Sequence, residues 1–236
     1  MAQSEMMQEM CILVNEEDDI IGSETKLSVH RGDGVRHRAF SVLIYDSEGR
    51  LLVQKRSSDK ITFPNVWANS CCSHPLDIDG ERDDGIGAEN AARRKLNQEL
   101  GITEEDSLDW DFSHIGKMEY SARWDSEWVE WEIDHILVVK SDAEINHNEN
   151  EISEVLWADV ETLEKMMSGE GRWAGEIIAP WFRLIWRNFI HDNRKDVSAI
   201  ANSKIPGIIQ CGEVDMDGNP VRPGHNLLEA LSVHRD

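Results

Sequence analysis

Positive charge is in short supply. The 236-residue chain has 24 lysines and arginines against 46 aspartates and glutamates, a formal net charge of −22. Such a surface repels nucleic-acid phosphates and argues against binding them nonspecifically. Ordinary solubility accounts for the acidity, and adaptation to high salt would give the same balance. Long apolar runs are absent too. No stretch reaches the roughly 18 apolar residues of a membrane span. The N-terminal segment lacks the cationic start and apolar centre of a secretory leader. Cysteine is sparse at four residues, which is no disulfide framework for a chain of this length. Cys11 and Cys211 lie far from the central pair in sequence and are expected to pack as small hydrophobes. A bond between adjacent Cys71 and Cys72 would close a strained ring. A reducing, cytoplasmic setting is expected, with no nucleic-acid or membrane partner.

What is present suffices for a core. The chain is 40% hydrophobic and 30% charged, enough for one compact domain with extensions. MCILV and a second short run around Ile20 predict two strands joined by an acidic turn. AFSVLIY and LLVQKR flank Asp46-Ser-Glu-Gly49, a hairpin signal. Residues 61–75 show no period and predict a structured loop. Ala88, Ala92, Leu96 and Leu100 recur every four residues, with Gly101 at the stop position, so a helix is expected there. Strands are expected over 114–122, 128–139 and 155–158. Asp159 is placed to cap a helix, and Pro180 to open another. Beyond about residue 198 the chain is turn-rich and aperiodic. Strands around one central helix, with helices late, make the class α+β, a mixed α/β sandwich.

Several groups of residues invite chemistry, and each has a plainer reading. In WVEWEIDHILVV alternation puts Glu130, Glu132 and Asp134 on one face. That face is either solvated or held near a cation, since like charges repel. His30, His37 and His74 are spread through loops and element edges with no ligand spacing between them. Glu99, one helical turn after Lys95, is either half of an ion pair or a carboxylate for hydrated Mg²⁺. Lys55, Arg56 and Lys60 form a basic cluster, either a phosphate clamp or a solvated strand end. NSCCSHP leaves open a bridge, a metal clamp or a working thiol.

Taken in order, MCILVNEEDDIIGSETK, HRAFSVLIYD, LLVQKRSSDKITFP, WANSCCSHP, ARRKLNQELGI, VEWEIDHILVV and APWF resemble the type I isopentenyl-diphosphate isomerase family of the Nudix superfamily. The resemblance runs from about Met10 to Asn193. The Nudix element itself is degenerate. Gly80, Arg94, Leu96, Glu99, Gly101 and Ile102 fit its pattern, while Ile86, Lys95 and Gln98 stand where carboxylates belong. Such losses argue against diphosphate hydrolysis by metal-activated water.

The resemblance implies a Nudix-like fold over residues 36–195, an N-terminal extension (1–35) packed on it, and a C-terminal extension (196–236) of unknown role. It implies isomerisation of a small isoprenoid diphosphate substrate, isopentenyl to dimethylallyl diphosphate, through a tertiary carbocation. His30, His37, His74, Glu130 and Glu132 are implied as ligands of a buried divalent metal, Zn²⁺ or Mn²⁺, with Fe²⁺ also suited. Glu99 is implied to hold Mg²⁺ on the substrate diphosphate, among Lys26, Arg56, Lys60 and Lys95. Cys72, Glu132 and Tyr120 are implied as catalytic, with Trp181 an aromatic wall. Glu132, aided by Tyr120, is expected to give the proton and a Cys72 thiolate to take one, with Cys71 and Trp186 merely packing. A Nudix hydrolase, and a non-catalytic protein with a structural zinc, are the alternatives from other classes.

Overall fold

The hairpin expected at Asp46–Gly49 forms at its turn and then opens. Only Tyr45 and Leu51 pair across it. Beyond that point a serine hydroxyl stands between the strands: Ser70 Oγ accepts from Ile44 N at 2.8 Å and donates to Leu52 O at 2.7 Å. Each strand thereby gains different neighbours, and the gap between them is filled by the NSCCSHP segment.

The computed structural model describes residues 3–83 and 85–221. Along the chain run α1 (Gln3–Met6), β1 (Met10–Val14), β2 (Ile20–Thr25), α2 (Lys26–Val29), β3 (His37–Tyr45) and β4 (Leu51–Arg56). Next come β5 (Trp67–Ala68), β6 (Cys71–Ser73), α3 (Gly87–Leu100), α4 (Glu104–Ser107), β7 (Ser113–Arg123) and β8 (Val129–Lys140). The remainder is β9 (Ile152–Ala158), α5 (Val160–Ser168), α6 (Pro180–Ile185), α7 (Val197–Asn202) and β10 (Ile208–Val214).

All ten strands among the described residues belong to one mixed sheet. Its main path is β10-β7-β8-β3-β1-β2, with β6 on β3 and with β5 and β9 on β4. β3 and β8 are parallel, so the chain between them must cross over, and α3 lies on that crossover. Of the expected series, Ala92, Leu96 and Leu100 are fully buried with Phe40, Val42 and Ile44 of β3, Ala88 is partly buried, and Ala91 joins the buried face. Gly101 ends the helix at φ +70°, and a Cβ there would lie 2.4 Å from Asn146 O. The opposite face of the sheet packs on α5 and α6 through Leu163, Met166, Phe182 and Ile185. Asp159 caps α5 by accepting from Thr162 N at 2.8 Å, as its position predicts.

Two expectations change. The loop over 61–75 contains β5 and β6, strands of two and three residues, too short to leave a period in sequence. The tail is not aperiodic: α7 packs near β7, and β10 pairs in parallel with β7 from Ile208↔Lys117 to Val214↔Ala122. β1 and β2 join the other side of the sheet, so both extensions contribute strands to it. Residues 222–236 of the expected C-terminal extension lie outside the described residues.

A buried polar knot fastens the N-terminal hairpin to the sheet. Asp18, at φ +72° in the β1–β2 turn, accepts from Arg38 Nε at 2.9 Å, Lys117 Nζ at 2.6 Å and His135 Nε2 at 2.8 Å. Burial alone would raise this carboxyl, but His135, Lys117 and Arg38 outweigh it and hold it far below the usual range.

Candidate active site

The floor of the site is the sheet face carrying Glu130 and Glu132, as strand alternation predicts. In the register of β7 with β8, Tyr120 faces Glu132. In that of β3 with β8, His37 faces Glu132. His30 follows α2, which Thr25 caps by accepting from Ser28 N at 3.2 Å. His74 follows β6. Three imidazoles and two carboxylates from separate elements thus converge, with one potential ligand atom from each lying within 4.8 Å of all the others.

Hydrogen bonding fixes two of the imidazoles. His30 Nδ1 lies 2.7 Å from Lys26 O, and His37 Nδ1 lies 2.7 Å from Val35 O. A carbonyl only accepts, so each Nδ1 carries a proton and each ring turns its Nε2 inward. His30 Nε2 then faces Glu130 Oε2 at 2.6 Å, and neither atom has a hydrogen-bond partner. A cation held between these two atoms would satisfy both. The donor set fits a divalent metal. His74 Nε2 contacts Glu132 Oε1 at 2.7 Å, and burial drives its pKa well below the ordinary value. A neutral imidazole is the form that ligates.

Beside this cluster is a cavity lined by Lys26, Arg56, Lys60, Cys72, His74, Glu99, Tyr120, Glu130, Glu132 and Trp181. Residues expected from widely separated segments are thereby gathered on one wall system. Among the residues expected to bind substrate, Lys95 is the exception. It is absent from the lining and pairs with Glu99 at 2.9 Å along α3, almost fully buried. Burial would raise Glu99, but Lys95 and Lys60 offset it and hold the carboxyl well below its usual value. Cys71, expected only to pack, points its Sγ at Glu99 Oε2 at 3.6 Å. Arg56 spends part of its guanidinium on the neighbouring loop, donating to Phe63 O at 2.9 Å and Thr62 O at 2.8 Å. Lys60 is paired with Glu151.

Protonation differs from the expectation. Burial pushes the Cys72 thiol up to about 12, only partly offset by Arg56. Burial also favours protonated Glu132, but His37 and the hydrogen bond from Tyr120 reverse that and lower its pKa. The proton therefore rests on sulfur, and Glu132 is a carboxylate that accepts from Tyr120 Oη at 2.5 Å. The Tyr120 phenol, pushed well above its ordinary value by burial and by Glu132, keeps its proton.

Some site residues escape sequence reasoning. Ser41 donates to Asp134 Oδ2 at 2.8 Å beneath the cavity, and burial raises that carboxyl strongly. Alternation placed Asp134 on the right face, but nothing marked Ser41. Arg94, a surviving Nudix position, grips Glu81 at 2.6 and 2.9 Å and donates to His74 O at 3.2 Å. The degenerate motif thus supports the ligand segment from behind.

Comparison with known proteins identifies the family. A NUDIX domain matches residues 35–182. Isopentenyl-diphosphate Delta-isomerase 1 of Bos taurus is 43% identical over 195 residues, covering 80% of this chain and 85% of its own. The chain belongs to the isopentenyl-diphosphate Delta-isomerase family. The chloroplastic isopentenyl-diphosphate Delta-isomerase 1 of Cannabis sativa is 40% identical over 196 residues, 78% of this chain and 67% of its own. The crystal structure of DR0079 from Deinococcus radiodurans shares the fold, with a TM-score of 0.55 at 22% identity over 76% of this chain and 98% of that one. For an isomerase of this family, the loss of acidic Nudix positions has a structural counterpart: Lys95 balances Glu99 where a further carboxylate would add negative charge. No described helix is long and apolar enough to cross a membrane.

Proposed function

We propose a division of labour for the family's reaction, the interconversion of isopentenyl and dimethylallyl diphosphate. The observation that carries it is that Cys72 and the Tyr120–Glu132 pair reach one cavity from different strands beside a basic end. Lys26, Lys60 and the free part of Arg56 bind the diphosphate. Mg²⁺ on that diphosphate is held through Glu99, whose charge Lys95 and Lys60 maintain. The buried cluster takes Zn²⁺ or Mn²⁺. When bound, that metal supplies a fixed positive charge that offsets two clustered carboxylates.

Isopentenyl diphosphate gains a proton at C4, becomes a tertiary cation at C3 and loses a proton from C2. The proton for C4 leaves the Tyr120–Glu132 pair, and the Cys72 thiolate, beside Arg56, takes the one from C2. A protonated Cys72 with an ionised Glu132 is the pairing that starts the reverse direction: sulfur protonates C2, and Glu132 takes a methyl proton. One proton thus changes sides with each turnover. Trp181 offers its ring to the cation, an interaction worth about 2 kcal/mol when desolvated. Its burial beside Phe63 and Phe182 keeps water away from that carbon. A cytoplasmic, reducing compartment suits a chain with all four cysteines free.

The test is turnover of isopentenyl diphosphate by Cys72→Ala and Glu132→Gln. Both variants should fold and bind substrate yet lose at least about a thousandfold in kcat, the scale of general acid–base catalysis. Near-wild-type turnover by either one removes that residue from the scheme.

A further inference from the structure

One buried amide ties the Cys72 segment to Trp181. Asn69 is fully buried. Its Oδ1 accepts from Trp181 Nε1 at 3.2 Å, and its Nδ2 donates to Cys71 O at 2.9 Å and Val42 O at 3.2 Å. Chemistry dictates the orientation of the amide. An indole N–H only donates and carbonyls only accept, so the reversed amide would mismatch all three contacts. The Cys71 carbonyl belongs to the peptide that leads into Cys72, and Val42 is the cross-strand partner of Cys71. One side chain therefore ties the indole to both β6 and β3.

Trp181 is gripped from other sides as well. Phe63 meets it edge-on, with centroids 5.2 Å apart at 79°, and the Arg56 guanidinium lies 5.6 Å from its ring centre. Phe63 has φ +47°, a left-handed backbone that bulky residues rarely adopt, and is held there by the Arg56 hydrogen bond to its carbonyl. Strain of this kind persists where the surroundings over-determine a position.

We propose that Asn69 is a positioning residue for the isomerisation, setting the spacing between the Cys72 thiol and the Trp181 ring. This rests on the roles given above to Cys72 and Trp181. With the spacing held, the cation forms against the ring while sulfur reaches C2. With the spacing lost, water adds its oxygen to the cationic carbon and releases a proton, and a tertiary alcohol diphosphate forms instead of the alkene. A displacement of about 1 Å can lower a rate about a hundredfold.

The experiment compares Asn69→Ala, Trp181→Phe and the double variant in the metal-loaded enzyme with Mg²⁺ and isopentenyl diphosphate. It reads kcat, KM, the yield of alcohol diphosphate and the thermal midpoint. Asn69→Ala is expected to lose about tenfold or more in kcat, with KM within about twofold because Lys26 and Lys60 are untouched, and to release the alcohol. In the Trp181→Phe background the same change should cost little more, since the partner N–H is already gone. Should Asn69→Ala fail to fold, Asn69→Ser carries the same test, and Trp181→Phe must itself release the alcohol. Additive losses, or a slow Trp181→Phe beside a wild-type-like Asn69→Ala, overturn the brace alone. A wild-type-like Trp181→Phe overturns the reading of Trp181 and the brace with it.

Discussion

Tyr120 and Glu132 are direct cross-strand partners, and the phenol oxygen of one stands 2.5 Å from a carboxylate oxygen of the other. The strand register alone brings them together, so the contact does not depend on a mobile loop. Removing the hydroxyl should therefore disturb chemistry more than folding. Tyr120→Phe is expected to keep the thermal midpoint within a few degrees and to lower kcat about 10–100-fold, the equivalent of a charge-assisted hydrogen bond of about 1.5–3 kcal/mol. Steady-state kinetics with a parallel melt check this.

Metal removal should be felt in stability as well as in rate. Two of the potential ligand atoms, His30 Nε2 and Glu130 Oε2, lie 2.6 Å apart, buried and without a hydrogen-bond partner. A metal present at a hundred times its dissociation constant stabilises by about 2.7 kcal/mol. For a chain of this size that amounts to roughly 5–11 °C in thermal midpoint. Chelation followed by stepwise return of Zn²⁺ or Mn²⁺ should lower and restore the midpoint and the turnover together. Measured metal content gives the stoichiometry, expected to be one buried ion per chain.

The Asp18 knot makes a statement about pH. Its carboxyl is lowered in the folded state, so its contribution is fully present above the unfolded value of about 4 and fades as pH falls below that toward the folded value. Asp18→Asn keeps a residue that tolerates φ +72° but leaves Arg38, Lys117 and His135 without the charge between them. The variant should lose about 3 kcal/mol at pH 7. Denaturant melts from pH 7 down to pH 2 should show the gap to wild type closing only below about pH 4.

Lys95 separates a binding role from a balancing one. It was expected at the substrate diphosphate, yet it pairs with Glu99 behind the cavity wall. Lys95→Met leaves a buried carboxylate short of a partner and should cost about 3–5 kcal/mol in stability. If Lys95 balances Glu99, Mg²⁺ should recover part of that loss without substrate. A Lys95 that touched the diphosphate would instead show a raised KM with stability unchanged.

Much of this architecture is written locally in the chain. The four-residue spacing from Ala88 to Leu100 gives α3 its buried face, and alternation along β8 puts Glu130 and Glu132 on the cavity side. Family resemblance then brought together the distant histidines, which no spacing could relate. What remained hidden depends on long-range packing. β6 is three residues long and exists because Ser70 and Asn69 hold it on β3. β10 is a short half-buried strand recruited by the edge of β7. The side of the site on which the proton rests follows from the desolvation of the partly buried Cys72 and from the neighbours of Glu132, neither of which has a sequence signature.

Cys72 and the Tyr120–Glu132 pair are proposed to exchange protons with a five-carbon substrate in one cavity. The most direct measurement is turnover of isopentenyl diphosphate in deuterated water by the metal-loaded protein, with the label located by NMR in the recovered dimethylallyl diphosphate. The account expects deuterium in the C4 methyl group for wild type, and no labelled product from Cys72→Ala or Glu132→Gln at matched folding. Labelled product formed at an undiminished rate by either variant would contradict it, as would cleavage of the diphosphate with the carbon chain unlabelled.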